Sequence, residues 1–201
     1  MFTGIIQHAG LFRGFRQGKK EMAVEAKTLP PELAIGESIA VNGACLSLVR
    51  KDGPVYFFNL SEETLTCTIL GSLRPGCKLN LELPLTLAAP LSGHLLTGHI
   101  DFTAKVLRLM PKKPGKRLTF SLPKKFRPYF IPKGSVAVNG VSLTVAGLAP
   151  ASFEAELIPI TLEKSNLSDL KTGDAVNIEC DMIGKYVYNW ITQAKTIGIG
   201  E

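Results

Sequence analysis

Residues 39–48 read IAVNGACLSL, and residues 136–145 read VAVNGVSLTV. The offset is 97 positions. Held without a gap, it lays SEETL (61–65) on IPITL (158–162) and LGSLRPGCKLNLE (70–82) on LSDLKTGDAVNIE (167–179). From 39 to 82, thirteen of 44 aligned positions are identical. The openings match too: FTGIIQ (2–7) resembles LTGHID (96–101) at an offset of 94. The chain thus reads as two copies of one module, expected over 1–90 and 91–186. They join near TLAAPLSG (86–93), where proline, glycine and small residues gather.

Within each module the hydrophobic period is mostly two, as in KLNLEL and AVNIEC. Asn-Gly at 42–43 and 139–140 predicts tight hairpin turns, and RPG (74–76) and KTG (171–173) predict turns before each last strand. Short strands separated by such signals point to an all-β chain, each module a small antiparallel barrel or sandwich. SEETL and PITLEKSNL are each a short helix or an extended crossover; Ser61 with Glu63 is capping-like but not at clean capping-box spacing. KYVYNWITQAK (185–195) is helical, with Val187, Trp190, Ile191 and Ala194 on one face. The segment 187–201 is accordingly assigned as a C-terminal helix serving oligomerisation, its stripe covered by the body or by another subunit.

Composition narrows the function classes. Of 201 residues 45% are hydrophobic and 20% charged, which suits a packed chain rather than a disordered one. No apolar run approaches the roughly 20 residues of a membrane span, and the first residues do not read as a secretory signal. A cytoplasmic location is expected. The four cysteines form no CxxC and lie far from the three histidines in sequence, so a structural zinc site is not indicated. Cys67, Cys77 and Cys180 read as small buried hydrophobes. The net charge of +6 is local: residues 102–153 carry ten Lys and Arg and no acid, leaving 13 basic against 17 acidic residues elsewhere. That segment, 105–133 in its basic residues, is read as a solvated loop and strand edge rather than a nucleic-acid surface.

The ordered set MFTGII, VNGACLSL, VNGVSLTV, SGHLLTGHID, IPITLEKSNL and VNIECDMIGKY resembles the riboflavin synthase family, from Met1 to about Tyr186. The resemblance implies two six-stranded antiparallel Greek-key β-barrels in tandem plus a C-terminal α-helix. It implies a homotrimer, with possible association with lumazine synthase and no nucleic-acid or membrane partner. The implied reaction joins two molecules of 6,7-dimethyl-8-ribityllumazine without metal, nucleotide or redox cofactor. One donates a four-carbon unit, giving riboflavin and 5-amino-6-ribitylaminopyrimidinedione. Each module is expected to bind one lumazine, with the productive pair formed between subunits. Departures from the family pattern are Ser47 for Thr, Asn59 for Asp, Asn139 for Asp, and Ile160 at a usually polar position.

The chemistry requires deprotonation of a methyl group, addition to the partner ring and stacking of two pteridines, for which positioning alone supplies much of the rate. Candidate catalytic residues are Ser142 and Cys45, at equivalent places in the two modules, with His99, Lys133 and Asp181. Ser142 is expected to polarise a water or the ring, and Lys133 to stabilise the substrate anion. Asp181 is expected to orient Ser142 or a water. His99 in TGHID is favoured over His94 in SGHLL as a proton carrier. The resemblance extends the substrate site to Gly4, Ile5 and Ile6, beside a neighbouring subunit's ligand, and to Leu46 and Ser47. It adds Asn59, Leu60, Ser61, Glu62, Glu63 and Thr64 in the first module. It further adds Gly98 and Ile100, Leu143 and Thr144, and Ile158, Pro159, Ile160, Thr161, Leu162 and Glu163. The alternative is a non-catalytic lumazine- or flavin-binding protein of the same fold. Retention of polar side chains in both repeats favours the enzyme.

Overall fold

In a computed structural model, described here for residues 1–196, alternation of apolar and polar residues builds twelve strands. The first six are β1 (His8–Arg16), β2 (Glu21–Glu25), β3 (Ser38–Val41), β4 (Ala44–Asp52), β5 (Val55–Asn59) and β6 (Lys78–Glu82). They close in the order β1-β2-β5-β4-β3-β6. The second six are β7 (Phe102–Lys112), β8 (Gly115–Ser121), β9 (Ser135–Val138), β10 (Val141–Leu148), β11 (Ser152–Leu157) and β12 (Ala175–Cys180). They close in the equivalent order, every pair antiparallel. The two-barrel fold is therefore as expected.

Both Asn-Gly pairs form two-residue hairpin turns. Val41 pairs with Ala44 and Val138 with Val141, and φ is +46° at both asparagines. Positive φ at both turn residues is the condition for the tight hairpin that follows strand twist. The two turns touch: a Cβ on Gly43 would lie 2.8 Å from the Gly140 nitrogen. Behind the tips, buried asparagines tie the barrels together. Asn80 Nδ2 donates to the Asn139 carbonyl, and Asn177 Nδ2 donates to the Asn42 carbonyl, each at 2.9 Å. Asn80 Nδ2 also donates to Asn166 Oδ1 at 2.9 Å, and the Asn166 N–H donates to Asn80 Oδ1 at 2.7 Å. Buried amides are costly unless satisfied, and here they are satisfied across the junction. Asn139, one of the family departures, is thus a member of this network; its Oδ1 accepts the Asn177 N–H.

Each barrel encloses its own core. Phe12, Met22, Ile39, Leu48, Phe58 and Leu70 fill the first, and Leu118, Phe120, Val136, Val145, Phe153 and Ile178 the second. On β4 and β10 alternation sends Leu46 and Leu143 inward and leaves Cys45 and Ser142 on the outer face. SEETL and PITLEK are short helices, α1 (Glu62–Cys67) and α2 (Pro159–Lys164). Ser61 caps α1 by accepting the Thr64 N–H, so the partner expected of Glu63 is Thr64 instead. The last helix, α3, begins at Met182, three residues before the sequence expectation, and is described to Thr196. Residues 197–201 of the expected helix lie outside the described residues. Tyr188 of α3 meets Tyr129 edge-on, but Trp190 is 69% exposed and Val187 51%. The body does not cover the apolar stripe. No helix among the described residues is long and apolar enough to cross a membrane.

The basic segment is less isolated than its own composition suggests. Glu154 and Glu156 on β11, just past its end, pair with Arg117, and Glu156 also with Lys112. Those cations hold the Glu156 carboxyl down to about 2. Cys180 is buried, as expected, and burial pushes its thiol up; Cys67 is instead exposed.

Candidate functional site

The outer faces of β4 and β10 are where the modules exchange parts. Each module opens with a short extended segment, Thr3 to Ile6 and Thr97 to Ile100, and each segment lies on the other barrel. The Ser142 N–H donates to the Gly4 carbonyl, and the Cys45 N–H donates to the Gly98 carbonyl, both at 2.8 Å. Both glycines have positive φ, +77° and +82°, and a Cβ on either would sit within 2.6 Å of the Cβ of Ser142 or Cys45. Only glycine allows this approach. Phe2 and Leu96 pair with each other between the barrels, N–H to carbonyl in both directions.

The exchange creates two equivalent pockets. The first barrel's, about 350 Å³, lies between β4, α1 and the second module's opening; Cys45, Glu63, Thr64, Cys67, His99 and Ile100 line it. The second barrel's, about 140 Å³, lies between β10, α2 and the first module's opening; Ile5, Ile6, Ser142, Ile160, Thr161 and Lys164 line it. Two other clefts are larger, one between His99 and α3 and one along the turns joining the barrels. Equivalence rather than size singles out this pair: two copies of one module are expected to offer the same place twice.

The polar chemistry is concentrated at Ser142. Its Oγ lies 2.7 Å from His94 Nδ1. His94 is buried, and burial lowers its pKa below 6.5 against an opposing pull from Asp181. The imidazole is therefore neutral at physiological pH and able to accept the serine proton at Nδ1. Its Nε2 is buried with no hydrogen-bond partner among the described residues. In the first pocket, Cys45 faces an exposed His99, whose backbone N–H is fixed by Thr97 Oγ1 at 3.3 Å.

The structure brings many of the expected residues together and corrects others. Gly4, Ile5 and Ile6 lie against Ser142 of the same chain and line the second barrel's pocket. Lys133 is exposed, has φ +66°, and donates its backbone N–H to the Val145 carbonyl. It lines neither pocket, because its position before β9 puts it beside Val145, three residues along β10 from Ser142. Asp181 does not orient Ser142. Its Oδ1 accepts the Ile183 N–H at the start of α3, and it reaches the site only through the charge felt by His94. Asn59 ends β5 outside the first pocket, while Leu46, Leu60 and Leu143 are core residues. Ser47 and Thr144 are exposed on the strand faces beyond Cys45 and Ser142. Ser61 is a helix cap, Pro159 starts α2 behind Ile158, and Leu162 packs on the second core. Glu62 and Glu163 are exposed outside the pockets, Glu163 pairing with Lys164 at 3.7 Å. Missing from the expected set were His94, which outranks His99 as the partner of Ser142, and Cys67, Thr68, Lys164 and Ser165. The last four are equivalent pairs under the 97-residue offset and continue the helices already named.

Comparison with known proteins agrees with this geometry. The lumazine binding domain model matches twice, at residues 3–84 and 97–181. Riboflavin synthase of Bacillus subtilis is 35% identical over 196 residues, covering 96% of this chain and 91% of that protein. Riboflavin synthase of Mycobacterium tuberculosis is 36% identical over 195 residues, covering 93% of this chain and 96% of that one. Among solved structures, LumP complexed with riboflavin shares the fold with a TM-score of 0.80 at 24% identity, covering 90% of this chain and 99% of that one. Two matched domains over two equivalent pockets, with relatives above 30% identity along nearly the whole length, place the chain in the riboflavin synthase family.

Proposed function

We propose that this chain catalyses four-carbon transfer between two molecules of 6,7-dimethyl-8-ribityllumazine, yielding riboflavin and 5-amino-6-ribitylaminopyrimidinedione. The observation that carries the reading is the pair of equivalent pockets, each with a hydrogen-bonding side chain, Cys45 or Ser142, at the same strand position. A reaction between two identical molecules needs two similar sites, and this duplication supplies them. In the second pocket, neutral His94 draws the Ser142 proton toward Nδ1, so that the serine oxygen polarises a water or the ring as charge develops. In the first, Cys45 and His99 do the related work on the other substrate molecule. The apolar walls, Ile5, Ile6 and Ile160 in the second pocket and Ile100 in the first, suit the flat pteridine faces.

The assembly belongs to the same proposal. Three copies associate through the exposed stripe of α3, and a first pocket from one copy faces a second pocket from the next. The reading is tested by incubating the protein with the lumazine alone and following riboflavin absorbance, with and without a chelator. One riboflavin per two lumazines, unchanged by EDTA, is the expected result. Saturable binding with no flavin after prolonged incubation would instead make the chain a lumazine-binding protein.

A further inference from the structure

Glu82 ends β6 and Glu179 lies near the end of β12, and both are buried. Neither lines either of the two equivalent pockets. Glu82 Oε1 accepts the Thr3 N–H and the Thr3 hydroxyl, each at 2.7 Å, and Oε2 accepts the Gly4 N–H at 3.0 Å. Glu179 repeats the pattern with Thr97, at 2.7 Å twice, and with Gly98 at 3.1 Å. Burial raises both carboxyl pKa values and these bonds oppose it, as expected of ionised acceptors held by several donors. The glycines then reach across the junction: Gly4 gives its N–H to the first barrel and its carbonyl to the second, and Gly98 does the reverse. The residues that follow, Ile5 and Ile6 or His99 and Ile100, are pocket walls, and they extend no strand ladder of their own.

We propose that Glu82 and Glu179 are crossed positioning residues: Glu82, in the first barrel, sets the ligand affinity of the second barrel's pocket, and Glu179, in the second barrel, sets that of the first. The proposal rests on the reading that both pockets take lumazine. An amide in place of either carboxylate keeps the volume but turns one acceptor into a donor, which then faces a glycine N–H or a threonine donor. The anchored segment loosens, and the pocket across the junction loses its wall.

The equivalent helix positions Glu63 and Ile160 allow each pocket to be blocked separately. Glu63→Trp fills the first pocket and Ile160→Trp the second. 6,7-Dimethyl-8-ribityllumazine is titrated into each blocked chain by calorimetry, with circular dichroism confirming both barrels. In the Glu63→Trp chain, Glu82→Gln should weaken the remaining site about tenfold while Glu179→Gln leaves it within about twofold. In the Ile160→Trp chain the two glutamates should exchange roles. If an amide variant fails to fold, Thr3→Val and Thr97→Val remove the hydroxyl that donates to the carboxylate and accepts the Ile5 or His99 N–H, and should give the same crossed pattern at about threefold. A carboxylate that merely supported its own barrel would weaken the pocket on that barrel. That result, equal losses at both sites, or no loss at either would overturn the proposal. Absence of binding in the unblocked wild-type chain would overturn the lumazine reading itself.

Discussion

The pocket on the first barrel and the pocket on the second occupy equivalent positions and carry different chemistry. Glu63 stands where the second has Ile160, Cys67 where it has Lys164, His99 where it has Ile5, and Cys45 where it has Ser142. The first is larger and more polar, with an acid, two thiols and an exposed imidazole. The second is smaller and has more apolar walls; its polar groups are the Lys164 ammonium and the hydroxyls of Thr161, Ser165 and Ser142, the last held by a buried imidazole. Duplication has thus conserved the placement of the sites while their linings diverged. For two identical substrate molecules that must play unlike parts, the divergence supplies the unlike environments that the shared scaffold does not.

The strongest way to break the comparison is to separate the pockets. Removing Lys185 to Glu201 takes away most of α3, where exposed Val187, Trp190 and Ile191 are each worth roughly 1.5–3 kcal/mol if a second copy buries them. The barrels should stay folded and each pocket should still bind lumazine, while turnover falls at least about 100-fold as the pair is lost. Sedimentation, circular dichroism and the flavin assay on one preparation decide it. A folded monomer of full activity would show that pockets on different copies need not meet.

Next in size is His94→Gln. With the neutral base gone, kcat should fall about 100-fold with little change in lumazine affinity. Ser142→Ala should cost at least about tenfold in kcat, or about 1.4 kcal/mol, and Cys45→Ala less, about threefold. The His94→Gln, Ser142→Ala double variant should be little worse than His94→Gln alone, because the two side chains act as one unit. Equal effects of Ser142→Ala and Cys45→Ala would remove the asymmetry drawn between the pockets.

Proton linkage distinguishes the pockets from their anchors by sign. His94 has a folded-state pKa below 6.5, so its contribution to stability is complete above pH 6.5 and is lost as pH falls toward the lowered value. Glu82 and Glu179 have folded-state values above 4.5, so stability is highest below pH 4.5 and declines as pH rises through the raised values. Thermal melts across this range should show a shallower decline above pH 4.5 in a Glu82→Gln chain and a shallower acid loss in a His94→Gln chain. Smallest of all is Lys133→Ala, expected to alter turnover by less than about twofold because the side chain lies outside both pockets. A larger loss would return Lys133 to the site.

Much of this architecture was legible because duplication writes its own alignment. The 97-residue offset shows that Cys45 and Ser142 are equivalent and that Asn-Gly turns recur, and the 94-residue offset of the openings shows that TGII and TGHI play one role. An offset states equivalence and not partnership, so it does not reveal that each opening segment crosses to the other barrel. His94 precedes the TGHI segment in the connection between modules, where the repeat provides no register; only the fold brings it to Ser142. Lys133 shows the converse error. It lies nine residues before Ser142, yet its backbone N–H bonds Val145, three residues and roughly 10 Å along β10 from Ser142. The basic segment misleads for a related reason: its neutralising acids belong to the next strand, adjacent across the sheet.

The contact between the two hairpin tips has a consequence for descent. After a gene doubles internally, its halves ordinarily drift independently. Here a side chain gained by Gly43 would strike the backbone of Gly140, and one gained by Gly140 would strike Gly43, at 2.8 and 2.7 Å. Neither tip can therefore gain a side chain, because the clash is with backbone and no change at the facing glycine relieves it, whereas Glu63 and Ile160 line separate pockets and were free to part. At these two tips the facing copy, and not each half's own barrel, decides that only glycine is tolerated.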